Sequence, residues 1–477
     1  MRQYYRPQIF LRLLVIGLLV LFLTLSPRPW LLQAGLEKAY QALQRANPAQ
    51  VARWLKVVIA FDPWRSDLQL AAGRYAAQGS DYTAAVSFLE QASQRQQLSS
   101  QDQLALGDAY HELGEEQRAM QAWQAAVETG ADQLTVTQRM LPVHQAQADS
   151  TAVTQDIKTL ADLQLTNPQA QVEAGLRLAA FDPISALPYL ERAVALDQKY
   201  TLEVQSLRDV ILATSRSYNP TLLLVAAGRQ LGALGKWDLA SQAFQNAVQQ
   251  RSDFGEAWAF LAESLQQSGT QDLKRAKEAL DQALKYDSDS VLVNIMASLY
   301  WQRQDDDTQA QGYLEKALAI EPENPVLYVQ VGDLLARNGN LQEARQAFQK
   351  AVDLDPQNVA YRRSLVDFLL HHQMDLRQSA LPVARQAVLL APQDPAALDL
   401  LGETLFLLGD YPTARRFIGR ALQIDDTFAP ALMHLGVLSV YQADSSRARQ
   451  LFTEARDLAT DQSTRDQAQR LLEYYFP

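Results

Sequence analysis

Cysteine is absent from all 477 residues, which excludes disulfides, thiolate metal sites and cysteine nucleophiles. β-Branched runs bounded by turn residues are missing too, so nothing argues for a sheet. Aromatic residues make up only 8% of the chain, and Gly and Pro number 20 and 19. What fills the sequence instead is Ala, Leu and Gln, residues that lose little rotamer freedom in a helix. No Lys/Arg-rich run occurs. The first 30 residues hold Arg2, Arg6, Arg12 and Arg28 and no acid, which leaves the remainder with 39 basic against 54 acidic residues, a net of −15. Such a surface repels phosphate backbones, so nucleic acid is not an expected partner.

One long apolar run stands out. Residues Ile9–Leu25 read IFLRLLVIGLLVLFLTL, with Arg12 as the only charge. At 1.5 Å per residue the run spans roughly 25 Å, the short end of what a bilayer core needs. Arg12 can snorkel to the headgroups, and Tyr4, Tyr5 and Trp30 suit the interfaces. A cleaved signal peptide shares the basic start and apolar middle. However, Leu25-Ser26-Pro27-Arg28-Pro29-Trp30 offers no small-residue cleavage site, which favours a retained anchor over a secreted, processed chain. Arg2 and Arg6 precede the run, Arg12 lies near its start, and only Arg28 closely follows it. The positive-inside rule then places the N-terminus in the cytoplasm and the rest of the chain across the membrane.

Beyond residue 31 the sequence repeats with a period of about 34. With Pro325–Asn358 as the ruler, position 8 reads Ala39, Gly73, Gly107, Leu141, Gly175, Gly228, Ala262, Ser298, Gly332, Val366, Gly402 and Gly436. Positions 20 and 27 read Ala344 and Ala351 in the ruler and are equally regular elsewhere; each of the three positions is small in ten of twelve copies. Paired helices approach closely only where facing side chains are small. Large residues at position 24, among them Leu89, Trp123, Phe244, Phe348, Ile418 and Phe452, fill the remaining space. Proline at position 32 (Pro63, Pro322, Pro356, Pro392) stops the second helix.

This pattern resembles the tetratricopeptide repeat family. The resemblance implies an all-α, right-handed α-solenoid of about twelve helix-turn-helix repeats behind one N-terminal transmembrane helix. The expected organisation is a tail and anchor over 1–30, an N-terminal array over 32–200 and a linker helix over 201–220. A C-terminal array over 221–462 and a capping helix over 463–477 follow. Two copies, Gly255–Ser290 and Val359–Asp394, run two residues long, most simply through insertions in the turn between their helices.

Catalytic and cofactor motifs fail one by one. Gly235-Lys236 lacks the upstream glycine of a phosphate loop, since Gln230 stands there, and Trp237 occupies the Mg²⁺-binding hydroxyl position. His111-Glu112 opens like a zinc-protease helix, but Glu115 fills the second histidine slot. The adjacent His371 and His372 point in different directions on a helix and suit one metal poorly. Asp305-Asp306-Asp307 lacks the alternation of a calcium loop. No metal, cofactor or enzymatic activity is expected.

In the family the first helix of each hairpin lines a concave groove through its positions 2, 5, 9, 12 and 13. Carried onto this chain, the resemblance implies a partner-binding groove built from Leu299, Val329, Asp333, Arg337, Arg363, Asp367, Glu403, Phe406, Met433 and Tyr441. Leu292, Ile295, Val326, His371, Asp399, Leu407 and Val437 lie beside them. A mixture of apolar positions, acids and a few arginines suits an extended peptide or a helix. The subclass that grips chaperone C-termini uses a basic residue at position 5 and Asn at position 9 of successive helices. Here position 5 reads Val329, Arg363, Asp399 and Met433, and position 9 never holds Asn. The expected function is therefore a membrane-anchored scaffold for a protein or peptide partner. The alternative is an accessory role in envelope assembly or in export of polysaccharide or protein, with the groove contacting glycans.

Overall fold

The computed structural model describes residues 28–268, 272–459 and 461–477. Among the described residues the protein is all-α, with twenty-six α-helices and no strand. The segment Ile9–Leu25, expected to anchor the chain, lies outside the described residues. Among those described, no helix is long and apolar enough to cross a membrane. Two compact units are present. One comprises the residues up to Leu178 with Tyr189–Gln198, the other Ala179–Pro188 with Lys199–Pro477.

Each unit is a tandem series of antiparallel hairpins. In the first, Ser66–Gln78 pairs with Tyr82–Ser93, and Ser100–Glu112 with Glu116–Glu128. In the second, helix Thr201–Ser215 leads into the hairpin Pro220–Ala233 and Trp237–Gln250. The hairpins nearest the C-terminus pair Pro325–Arg337 with Leu341–Leu354, Pro395–Leu407 with Tyr411–Ile424, and Ala429–Tyr441 with Ser445–Leu458.

Small side chains set how closely each pair packs. A Cβ added at Gly332 would lie 2.9 Å from a ring carbon of Phe348; one added at Gly436 would lie 2.5 Å from Phe452. The large residue at position 24 therefore rests directly on the bare backbone at position 8. Ala344, Ala351, Ala414, Ala421, Ala448 and Ala455 are all fully buried. Hydrophobic burial through these contacts is the main stabilising term of such arrays.

Helix starts are fixed by side-chain caps. Asn324 accepts from the Val326 N–H, Asn358 from that of Ala360, and Asp394 from that of Ala396. Such caps satisfy donors that the first helical turn leaves open. The usual turn between paired helices is three residues long with its middle residue left-handed, as at Gly339 (φ 76°) and Gly409 (φ 84°). Ser80 and Asp305 take the same conformation without the glycine (φ 59° and 55°). The long copy at Val359–Asp394 departs from this. Its first helix ends at His371, Asp375 turns left-handed (φ 44°), and a π-helical turn Leu376–Ala380 runs into Leu381–Leu390. The extra residues are absorbed there without displacing Ala380, Ala384 or Ala387, all buried.

Helix Gln462–Tyr475 closes the C-terminal end. It buries Ala468 against Leu451 and Ala455 and stacks Tyr475 on Phe452 at 5.9 Å between ring centres. An open array needs such a cover over its last apolar face.

Candidate partner-binding groove

The first helices Val359–His371, Pro395–Leu407 and Ala429–Tyr441 each turn one stripe to the same open face of the second unit. A spacing of four residues keeps positions 5, 9 and 13 on one side of a helix. The opposite stripe, with Gly402 and Gly436, is taken up by the paired second helix. The three stripes line an open groove of ≈ 450 Å³, whose walls include Arg363, Asp367, His371, Asp399, Glu403 and His434.

Charges at one end of the groove are matched. Arg363 Nη1 donates to Asp394 Oδ2 at 2.8 Å, tying one first helix to the cap of the next. His434 Nδ1 lies 3.0 Å from both carboxylate oxygens of Asp399, and its Nε2 is 3.7 Å from Glu403. Burial alone would pull the imidazole pKa down. The carboxylates of Asp399 and Glu403, the bond to Asp399 and the more distant Asp367 outweigh it and hold it up at about 9. At neutral pH His434 is a cation.

Further along, the carboxylates lack partners. Asp333 and Asp367 form no hydrogen bond or ion pair with the described residues. Both keep surface open to solvent, yet protein encloses enough of each to raise its pKa. For Asp333 the value rises to about 6, through burial first and the Asp367 charge second. Burial also raises Asp367, opposed by His371 and His434, and raises Glu403. Beyond them Phe406, Tyr411 and Tyr441 form an aromatic trio with ring centres 5.1–5.7 Å apart. Tyr441 is 62% exposed.

The other residues expected to line the groove divide by burial. Leu299 and Val329 are half-buried, as are Leu292, Ile295 and Val437, while Val326 and Leu407 are exposed. Arg337 is engaged with the preceding hairpin: it donates to the Gln302 carbonyl at 3.0 Å and lies 3.7 and 3.9 Å from Asp305 and Asp307. Met433 is only 3% exposed and packs in the cluster that includes Ala468 of the closing helix. His434 and Tyr411 were not among the expected residues. A histidine one residue past position 5, facing an acid at position 5 of the preceding copy, is the sequence signal that marks His434. His371 and His372 meet edge-on at 4.8 Å. Among the described residues no group of three or more His, Asp or Glu side chains could hold a metal ion.

The first unit has its own cavity of ≈ 680 Å³, lined by Arg74, Tyr82, Asp108, Trp123 and Arg139 among others. Its charges are largely matched within the unit, Glu112 excepted. Arg74 Nη2 donates to Asp102 at 2.8 Å, Arg139 Nε to Asp108 at 2.8 Å, and Trp123 Nε1 to the same Asp108 oxygen at 2.9 Å.

Residues 304–367, which include Asp333, Arg337, Arg363 and Asp367, match the tetratricopeptide repeat family model. No curated protein matches the chain. Among solved structures, the chain is similar to yeast Tom70 at 16% identity, over 93% of this chain and 95% of that one, with a TM-score of 0.45. It is similar to Pseudomonas aeruginosa PilF at 20% identity, over 46% and 99%, with a TM-score of 0.35. It is also similar to MamA from Desulfovibrio magneticus RS-1 at 26% identity, over 35% and 94%, with a TM-score of 0.30.

Proposed function

We propose that this tetratricopeptide-type chain is a scaffold that holds a protein or peptide partner along the groove of its C-terminal hairpins and catalyses nothing. The observation that carries the reading is the groove of the C-terminal hairpins, where unpaired carboxylates lie on the same first helices as the half-buried ring of Phe406 and the exposed ring of Tyr441. Solvated charge next to apolar surface is what an unoccupied interface presents. The chain is tethered through Ile9–Leu25, with its N-terminus in the cytoplasm and its hairpins on the far side of the membrane, as the flanking arginines argue.

A photo-crosslinking amino acid placed at position 406 or 441 of the full chain in cells tests the groove. The two sites should yield an adduct of one common mass, absent when the probe replaces Leu389, an 80% exposed residue on a second helix. Equal adducts at all three positions, or none at 406 and 441, would overturn it. Protease added to intact cells tests the tether: digestion of the hairpins supports the orientation, and their full protection contradicts it.

A further inference from the structure

We infer that the groove's occupant is cationic: an extended segment of a partner protein carrying an arginine or lysine and, two residues on, an aromatic or large apolar side chain. The inference rests on the groove reading above and adds the chemistry of what is held.

The groove floor is a grid of three helices by three positions. Across Val359–His371, Pro395–Leu407 and Ala429–Tyr441, the first row is Arg363, Asp399 and Met433. The second is Asp367, Glu403 and Val437, and the third, drawn from positions 12 and 13, is His371, Phe406 and Tyr441. Charge in the first row is closed internally, through Arg363 with Asp394 and His434 with Asp399. Charge in the second row is not. Asp367 has no ion pair, and Glu403 approaches only His434, at 3.7 Å. Asp367, Asp399 and Glu403 thus face His434 with His371 at their edge, and the carboxylates outnumber the imidazoles. Immediately beyond lie the rings of Phe406 and Tyr441, 5.1 Å apart and edge to face.

That order of rows selects the ligand. An anionic segment meets surplus like charge. A purely apolar one strips water from Asp367 and Glu403 and supplies nothing in return, which is costly for any charge. A guanidinium or ammonium replaces the lost hydration with charge-assisted hydrogen bonds, and the rings beside it can take its cationic edge or stem. Glu403 and Phe406 are three residues apart on one helix, which sets their Cβ atoms about 5–6 Å apart. Side chains two apart in an extended chain lie about 6.6 Å apart on one face. A basic residue, any residue, then an aromatic one matches that interval.

The test is fluorescence anisotropy on the full chain in detergent micelles with three labelled decapeptides in a Gly/Ser background. One carries two Arg-x-Phe steps, one has Glu in place of each Arg, and one has Ala in place of each Phe. The Arg-x-Phe peptide should bind more tightly than either of the others. Because the chain's overall charge of −11 attracts any cation, site-directed variants decide the matter. Asp367→Asn combined with Glu403→Gln should weaken that peptide by about tenfold or more. Asp108→Asn, in the first unit, should leave it unchanged, and circular dichroism checks that both variants stay helical. Undiminished binding to the double variant, or an equal loss with Asp108→Asn, overturns the inference, as does failure of all three peptides to bind. Preferential binding of the Glu peptide that is lost on Phe406→Ala overturns the cationic occupant and leaves the groove reading standing.

Discussion

His434 and Asp399 lie on neighbouring first helices, thirty-five residues apart in sequence, with Nδ1 3.0 Å from both carboxylate oxygens. The Asp399 side chain is only 3% exposed, so removing the partner's charge would strand a buried carboxylate. The imidazole pKa is raised from 6.5 to about 9. A raised histidine pKa means the folded state holds the proton more tightly. The pair's contribution is complete below pH 6.5 and is lost as pH rises through about 9. The thermal midpoint of wild type relative to His434→Gln should therefore fall across that window. A wild-type advantage that is constant from pH 6 to about 10 contradicts the ion pair.

Close approach at position 8 gives an opposed pair of predictions. A Cβ at Gly402 would sit 2.5 Å from Ile418 Cγ1, whereas one at Gly419, on the paired helix, meets nothing within 4 Å. Gly402→Ala should destabilise by about 1–3 kcal/mol through overpacking. Gly419→Ala should stabilise by roughly 0.5–1 kcal/mol, as expected for glycine replaced in a helix. Urea unfolding of the two variants checks both signs, and a Gly402→Ala variant stabilised like Gly419→Ala would show that position 8 is not a close contact.

Tyr441 is 62% exposed, yet it meets the rings of Phe406 and Tyr411 at 5.1 and 5.7 Å. Surface aromatic pairs contribute about 0.5–1.5 kcal/mol. Tyr441→Ala should therefore shift the thermal midpoint by only a degree or two in a chain of this size. The same change should abolish the crosslinked adduct formed from position 406. Melting and crosslinking measured on one preparation separate a binding role from a packing role, and a large drop in melting temperature without loss of adduct assigns Tyr441 to packing.

Most of the hairpin architecture was legible because it depends on local size matching. Gly332 under Phe348 and Gly436 under Phe452 recur at a fixed interval, and that interval is itself the signal. The two-residue excess in Val359–Asp394 was legible as a longer turn, but the π-helical turn at Leu376–Ala380 was not, since no single residue type demands it. Groove positions transferred from the family located Asp367, Glu403 and Phe406 on one face. They missed His434, because position 6 is not counted as groove-facing and its side chain reaches sideways to the preceding helix. Met433, placed in the groove by the same positions, lines it and also packs with the cluster that includes Ala468.

Asp333 bears on why the groove keeps unpaired acids at all. Burial and the Asp367 charge raise its pKa from 3.8 to about 6. For a carboxyl this means the folded state prefers the proton, so stability is retained in acid and lost as pH rises from 3.8 through about 6. Asp333→Asn should then change little near pH 4 and raise the thermal midpoint above pH 6. Because the carboxylate keeps surface in water, screening limits the gain to a few tenths of a kcal/mol up to about 1 kcal/mol. If the groove exists to take a cation, the same variant should lower affinity for an Arg-x-Phe peptide while raising stability, the trade expected where a site holds strained charge for its ligand. Calorimetry at the two pH values and anisotropy at neutral pH measure the two effects. A variant that is more stable and binds equally well would mean that Asp333 is unpaired for no purpose connected with the groove.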